Sequence, residues 1–217
     1  MEMFGLTSEN ERWIYVSDGG HFDNLGIYEM VRRRCRVIVV SDAGHDPDYT
    51  FVDLASALRK AWIDLGIGIE MCGLDRLRNC FAARPAPAGA APYWAVGRIR
   101  YKAADGAGED GLLLYFKCGL HGTEPIDVLS YAMSHPAFPH ETTADRYCTE
   151  SQFESYRRLG FEIVSRAFAS AGCAAPGATG THATPQGAEL TLDAVIERLH
   201  ARLNPRQSPS PASAHAE

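Results

Sequence analysis

The stretch WIYVSDGGHFDNLGIYEMVRRRCRVIVVSDAG, residues 13–44, restricts this chain to few folds. An apolar run at 13–16 drives directly into Ser17-Asp18-Gly19-Gly20. A helix-like segment follows, and a second apolar run at 37–40 ends in Ser41-Asp42-Ala43-Gly44. The order strand, acidic turn, helix, strand predicts an α/β sheet with Asp18 at the C-terminal tip of a buried strand, where open α/β sheets keep their chemistry. Gly19 and Gly20 let the backbone turn tightly there and let a ligand come close.

The flanking patterns fill in the elements. Asn24 predicts an N-cap for a helix running to about Arg33, with Arg32, Arg33 and Arg34 at its C-terminus, where cations complement the dipole. The unbroken apolar run at 37–40 predicts a strand buried on both faces. Leu54, Leu58, Ala61, Trp62 and Leu65 recur at helical spacing behind Asp53, which predicts a capped amphipathic helix ended by Gly66. A short strand at 67–71 and a short helix at 74–81 come next. Residues 93–101 and 112–117 are strand-like, and ADGAGEDG between them is rich in turn formers, which predicts a hairpin. Pro125 opens a helix to Ser134. A longer helix spans 150–169 with Phe153, Tyr156, Ile163, Val164 and Ala167 on one side. Val195, Ile196, Leu199 and Leu203 form one stripe of a last helix, residues 190–203.

At 217 residues the chain suffices for one domain with a core of ordinary size. The net charge of −6 argues against a nucleic-acid partner, because a phosphate backbone calls for a basic surface. No apolar run approaches the ~20 residues of a membrane-spanning helix, and the N-terminal residues lack the basic and apolar regions of a signal peptide. The six cysteines include no C-x-x-C pair, so they read as reduced thiols in a cytoplasmic protein. Residues 171–189 and 204–217 lack apolar periodicity and are expected to be a disordered linker and tail.

Asp18-Gly19-Gly20, then Asn24-Leu25-Gly26, Tyr28-Glu29, an Arg-rich helix end and VVSDAG, resembles the C-terminal half of the patatin-like and cytosolic-phospholipase-like acyl hydrolases. A second stretch, HPAFPHETTADRYCTESQFESYRRLG at 135–160, is similar to the region near the end of bacterial members. The resemblance covers roughly residues 11–168. It implies an α/β fold in which a partial patatin-like sheet is flanked by helices, with an added β-hairpin and C-terminal helices. Residues 1–170 would form the C-terminal portion of the hydrolase domain, with the helix at 190–203 following the linker.

The resemblance also implies chemistry. In that family the Asp of the Asp-Gly-Gly turn serves a nucleophilic Ser, and carried over residue by residue this is Asp18. Gly19 and Gly20 would shape the turn and its oxyanion environment, while His21 and Asn24 would line the site. The implied substrate is a phospholipid or acyl-glycerol ester met at a membrane surface, and the Ser-Asp dyad requires neither metal nor organic cofactor. No serine here has Gly two residues before and two after it, so the G-x-S-x-G elbow is absent from these residues, as is the family's glycine-rich loop. The Ser is therefore expected from a missing N-terminal half or from a partner chain. A catalytically inactive module that binds lipid or protein is the alternative.

Other groups carry competing readings. Ser17 adjoins Asp18, but successive strand side chains point to opposite faces, which places it badly for activation by its neighbour. Asp42, Asp46 and Asp48 offer oxygen ligands at short spacing, yet the spacing is not that of an EF-hand loop, and turn and helix-cap roles fit better. His135 and His140, flanking two prolines, read as part of a stiff packed loop. The RRRCR run reads as a solvated helix end, with anionic lipid headgroups as the rival reading.

Overall fold

The computed structural model describes residue 12 and residues 18–82, 92–142, 144, 147–173 and 191–203. The expected strand at 13–17, with Ser17, lies outside the described residues. So do nearly all of the expected linker and the whole tail.

The described chain is mixed α/β. Four strands, β1 (Val37–Asp42), β2 (Ile69–Cys72), β3 (Trp94–Ile99) and β4 (Gly111–Lys117), form one sheet in the order β1-β4-β3-β2. β1 and β4 run parallel, Val37 opposite Leu112 and Asp42 opposite Lys117, while β4–β3 and β3–β2 are antiparallel. The β3–β4 pair is the hairpin read from the sequence. It is not an addition to a sheet, however, because these two strands are the sheet's centre. Their connection also carries a short helix, α4 (Tyr101–Asp105), before its glycine turn.

Every residue of β4 is buried, so the sheet is covered on both faces there. β1 is different. Its burial alternates, with Ile38, Val40 and Asp42 inside and Val39 52% exposed. Among the described residues the apolar run at 37–40 is thus an edge strand with Val39 exposed on one face, not a strand buried on both faces. A short apolar run is consistent with a strand but cannot reveal whether a neighbour is present to cover it.

The remaining helices are α1 (Ile27–Arg32), α2 (Val52–Leu65), α3 (Leu74–Ala82), α5 (Ile126–Ser134), α6 (Glu150–Ser170) and α7 (Leu192–Leu203). α1 packs on α2, α5 on α6, and α7 on β3, β4 and α6. Val195, Ile196, Leu199 and Leu203 are all buried, as their stripe predicts. α7 therefore shares the core of the preceding residues. Gly73 fixes this seat: it has φ +98°, and a Cβ there would lie 2.9 Å from Leu203 Cδ1.

Two helix faces differ from expectation. On α2 the buried residues are Leu54, Ala57 and Ala61, while Trp62 points to solvent at 62% exposure. On α6 they are Ser155, Leu159, Ile163 and Ala167, with Phe153 and Val164 exposed. In both helices a small or polar residue replaces a large apolar one on the packed face, because a close neighbour leaves room for nothing bigger. Gly160 does not interrupt α6.

Candidate functional site

Asp18 opens a single 3-10 turn, Gly19–His21, with φ −59° and ψ 130°. Its Oδ1 accepts the Gly20 amide at 2.9 Å and its carbonyl accepts the His21 amide at 3.1 Å. This is the Asx turn that Asp and Gly favour. The carboxylate is exposed, and Oδ2 has no hydrogen-bond partner among the described residues. A Cβ at Gly20 would stand 2.2 Å from Asn24 Oδ1, so a side chain there would push the Asn24 amide aside. His21 closes the turn with its ring exposed.

Asn24 does not cap α1. The Asp23 carboxylate does, accepting the Leu25 amide at 3.0 Å and the Tyr28 amide at 2.8 Å. Asn24 instead donates from Nδ2 to Asp53 Oδ2 at 3.1 Å, tying the Asp18 turn to the first turn of α2. Asp53 in turn is not the cap of α2. Asp46 holds the entry to that helix, accepting the Thr50 amide at 2.8 Å, the Thr50 hydroxyl at 2.7 Å and the Phe51 amide at 2.9 Å. Burial pushes the Asp46 carboxyl upward, but those donors and Lys117 outweigh it and hold the group below the usual carboxylate range. The same loop keeps Tyr49 and Phe51, two buried aromatics, at positive φ of 50° and 55°.

Asp53, Asp46 and Lys117 line a cavity of about 200 Å³ at the C-terminal tips of the parallel pair β1 and β4. That is the position where α/β sheets place ligands. At its floor lies a buried ion pair. Lys117, 1% exposed, donates from Nζ to Asp42 Oδ1 at 2.9 Å and to the Gly44 carbonyl at 3.2 Å. Asp42 also accepts the Gly44 amide at 2.9 Å and the Tyr115 hydroxyl. Burial is the main force pushing the Tyr115 hydroxyl upward, and the Asp42 charge adds to it.

His140 packs behind this floor. Its Nε2 meets the Tyr49 hydroxyl at 3.0 Å, and the two rings meet edge to face at 5.0 Å. Burial, reinforced by Lys117, holds the His140 imidazole below its ordinary range.

The structure thus assembles Asp18, Gly20, Asn24 and Asp53 into one connected strip and leaves His21 at its outer end. Asp18 is not among the residues lining the 200 Å³ cavity; it reaches that cavity only through Asn24 and Asp53. No serine hydroxyl among the described residues hydrogen-bonds to it. Lys117, which lines the cavity, and Tyr115, which bonds to its floor, are not singled out by the sequence. The available signal was a lysine closing the otherwise apolar run GLLLYF, since a charge at that position needs a buried partner. His140 sits in the packed loop its prolines predict, and His135 stacks on Tyr131 with ring centroids 3.8 Å apart.

Comparison with known proteins gives no match: no family model, no curated protein and no solved structure. The functional reading therefore stands on the residues themselves. Among the described residues no group of three His, Cys, Asp or Glu side chains is arranged to hold a metal ion, and no helix is long and apolar enough to cross a membrane.

Proposed function

We propose that this chain is the carboxylate-bearing part of a patatin-like lipid acyl hydrolase, with Asp18 as the base of a Ser-Asp dyad whose Ser is contributed from outside these residues. One observation carries the reading. Asp18 is exposed and anchored through Oδ1 to the Gly20 amide, while Oδ2 has no hydrogen-bond partner among the described residues. An open carboxylate oxygen is what a general base needs.

In the proposed reaction Oδ2 takes the proton of the incoming serine hydroxyl as that oxygen attacks the ester carbonyl. Backbone amides stabilise the oxyanion. The adduct then expels the alcohol, which takes the proton back from Oδ2 and leaves the acyl group on the serine. Water deprotonated by the regenerated carboxylate attacks that acyl-serine, releasing the fatty acid and returning the proton to the serine oxygen. Asn24 and Asp53 act as a brace that fixes the turn against α2. The open edge and exposed Val39 of β1 offer the rest of such a sheet a place to add strands.

The test joins or mixes this chain with an N-terminal half that carries a G-x-S-x-G elbow and assays a short-chain acyl ester and a phospholipid. Expected is turnover only when both parts are present, reduced about 10²- to 10⁴-fold in Asp18→Asn. Asp23→Asn, which weakens a helix cap, should leave a folded and active protein. Equal activity in Asp18→Asn would remove Asp18 from the chemistry.

A further inference from the structure

A second cavity, of about 640 Å³, opens where β3 meets α3, α6 and α7. It shares no lining residue with the strip that holds Asp18. Three guanidiniums reach it from three different helices: Arg76 from α3, Arg166 from α6 and Arg202 from α7. Tyr93, Trp94 and His121 supply its aromatic wall. No carboxylate is found among its described lining residues.

The donors around this cavity outnumber their acceptors. Trp94 is 5% exposed, and its Nε1 is buried with no hydrogen-bond partner among the described residues. A buried indole N–H left without an acceptor is uncommon, because its desolvation is not offset. Arg202 makes no side-chain hydrogen bond or ion pair among the described residues, and Arg76 spends one weak bond of 3.3 Å on the Arg202 carbonyl. Arg166 is fixed by Glu162 at 2.6 Å and by Thr123 at 2.7 Å and 2.6 Å, which leaves two of its five N–H groups to spare.

The carboxylates behind the wall are already engaged. Glu124 accepts the Tyr93 hydroxyl at 2.5 Å and the His121 and Gly122 amides at 2.5 Å and 2.8 Å. Tyr93 and His121 stack with centroids 3.9 Å apart. The cavity therefore presents fixed positive charge, one buried neutral donor and a flat aromatic wall, and its volume suits a small molecule.

We propose that this cavity binds the phosphate group of a small phosphorylated molecule or of a lipid headgroup, with Arg76, Arg166 and Arg202 meeting its oxygens and the Trp94 indole donating to one of them. Planar guanidiniums pair with phosphate through two parallel N–H bonds, and three of them match a dianion better than a monoanionic carboxylate. The site stands apart from the Asp18 reading and holds whether or not that chemistry occurs.

The experiment titrates the full chain by calorimetry with inorganic phosphate, glycerol 3-phosphate and acetate. A parallel arm measures sedimentation with phosphatidylcholine vesicles, with and without phosphatidic acid. Arg202→Gln is the first variant because its side chain is exposed. Trp94→Phe, which keeps an aromatic ring but removes the N–H, is the second, and urea unfolding verifies both folds.

Saturable binding of glycerol 3-phosphate, weakened about tenfold or more in Arg202→Gln and measurably in Trp94→Phe, supports the site with a free phosphate ester as its source. Binding confined to phosphatidic acid vesicles and lost in the same variants supports it with a headgroup as the source. Three results overturn it: no binding in either arm, binding unchanged in both folded variants, or acetate binding as tightly as phosphate.

Discussion

Lys117 and Asp42 show how one residue pair can hold a loop cluster in place. Both are buried and bonded to each other, and the pair also reaches Gly44 and Tyr115. Removing one partner strands the other charge, so Lys117→Met should destabilise the chain by about 3–5 kcal/mol. Lys117→Met combined with Asp42→Asn should recover part of that loss, and urea midpoints measure both. His121 yields a pH prediction. Burial is the chief cause of its depression to about 4, against about 6.5 in an unfolded chain. Unfolding thus takes up a proton between those values, so stability falls as pH drops from about 6.5 to about 4. His140 shifts the same way. Asp46 and Glu124 are held low and lose their contribution only further down, below the ordinary carboxylate range. Unfolding free energies measured by denaturant titration across this window should fall by an amount on the order of 3 kcal/mol, and His121→Phe, which keeps the stack on Tyr93, should flatten the curve.

Among the elements, spacing was a better guide than boundary chemistry. The stripe of α7 is read correctly from the sequence because four large apolar residues leave only one face to bury. Leu199→Ala should cost about 2–5 kcal/mol and expose α7 to limited proteolysis, since Leu199 is fully buried. Were α7 an independent appendage, the same change would leave the unfolding midpoint of the sheet unmoved. Caps were harder to read. Asn24 and Asp53 occupy plausible cap positions, yet they bond to each other while Asp23 and Asp46 do the capping. Candidates one to seven residues apart differ only in which loop path brings a carboxylate to the amides, and that path depends on tertiary contacts. Trp62 misleads for a related reason. Its spacing fits the stripe, but the packed face of α2 is lined by alanines that admit α1 closely. Of the candidate site, Asp18, its glycines and Asn24 were legible because they are contiguous in sequence. Lys117 was not, since its partner Asp42 lies 75 residues away.

Among the described residues the molecule is a mixed sheet that ends at β1 on one side. Among the described residues no strand pairs with the outer backbone of β1, which carries an exposed Val39 and lacks the lysines or prolines that usually protect an edge. The isolated chain should therefore self-associate in sedimentation velocity. Val39→Lys should shift it toward monomer while leaving the unfolding midpoint nearly unchanged, because that side chain is half in water already. A sharp monomer boundary for the unaltered protein would contradict this. The seclusion of Lys117 has a practical sequel. The sequence contains only three lysines, and of the other two Lys102 is exposed and Lys60 half-buried. An amine-reactive reagent should mark those two on the native protein and reach the third only when the sheet comes apart, so the count of labels per molecule, read by mass spectrometry, becomes a clock for opening that nature has already installed.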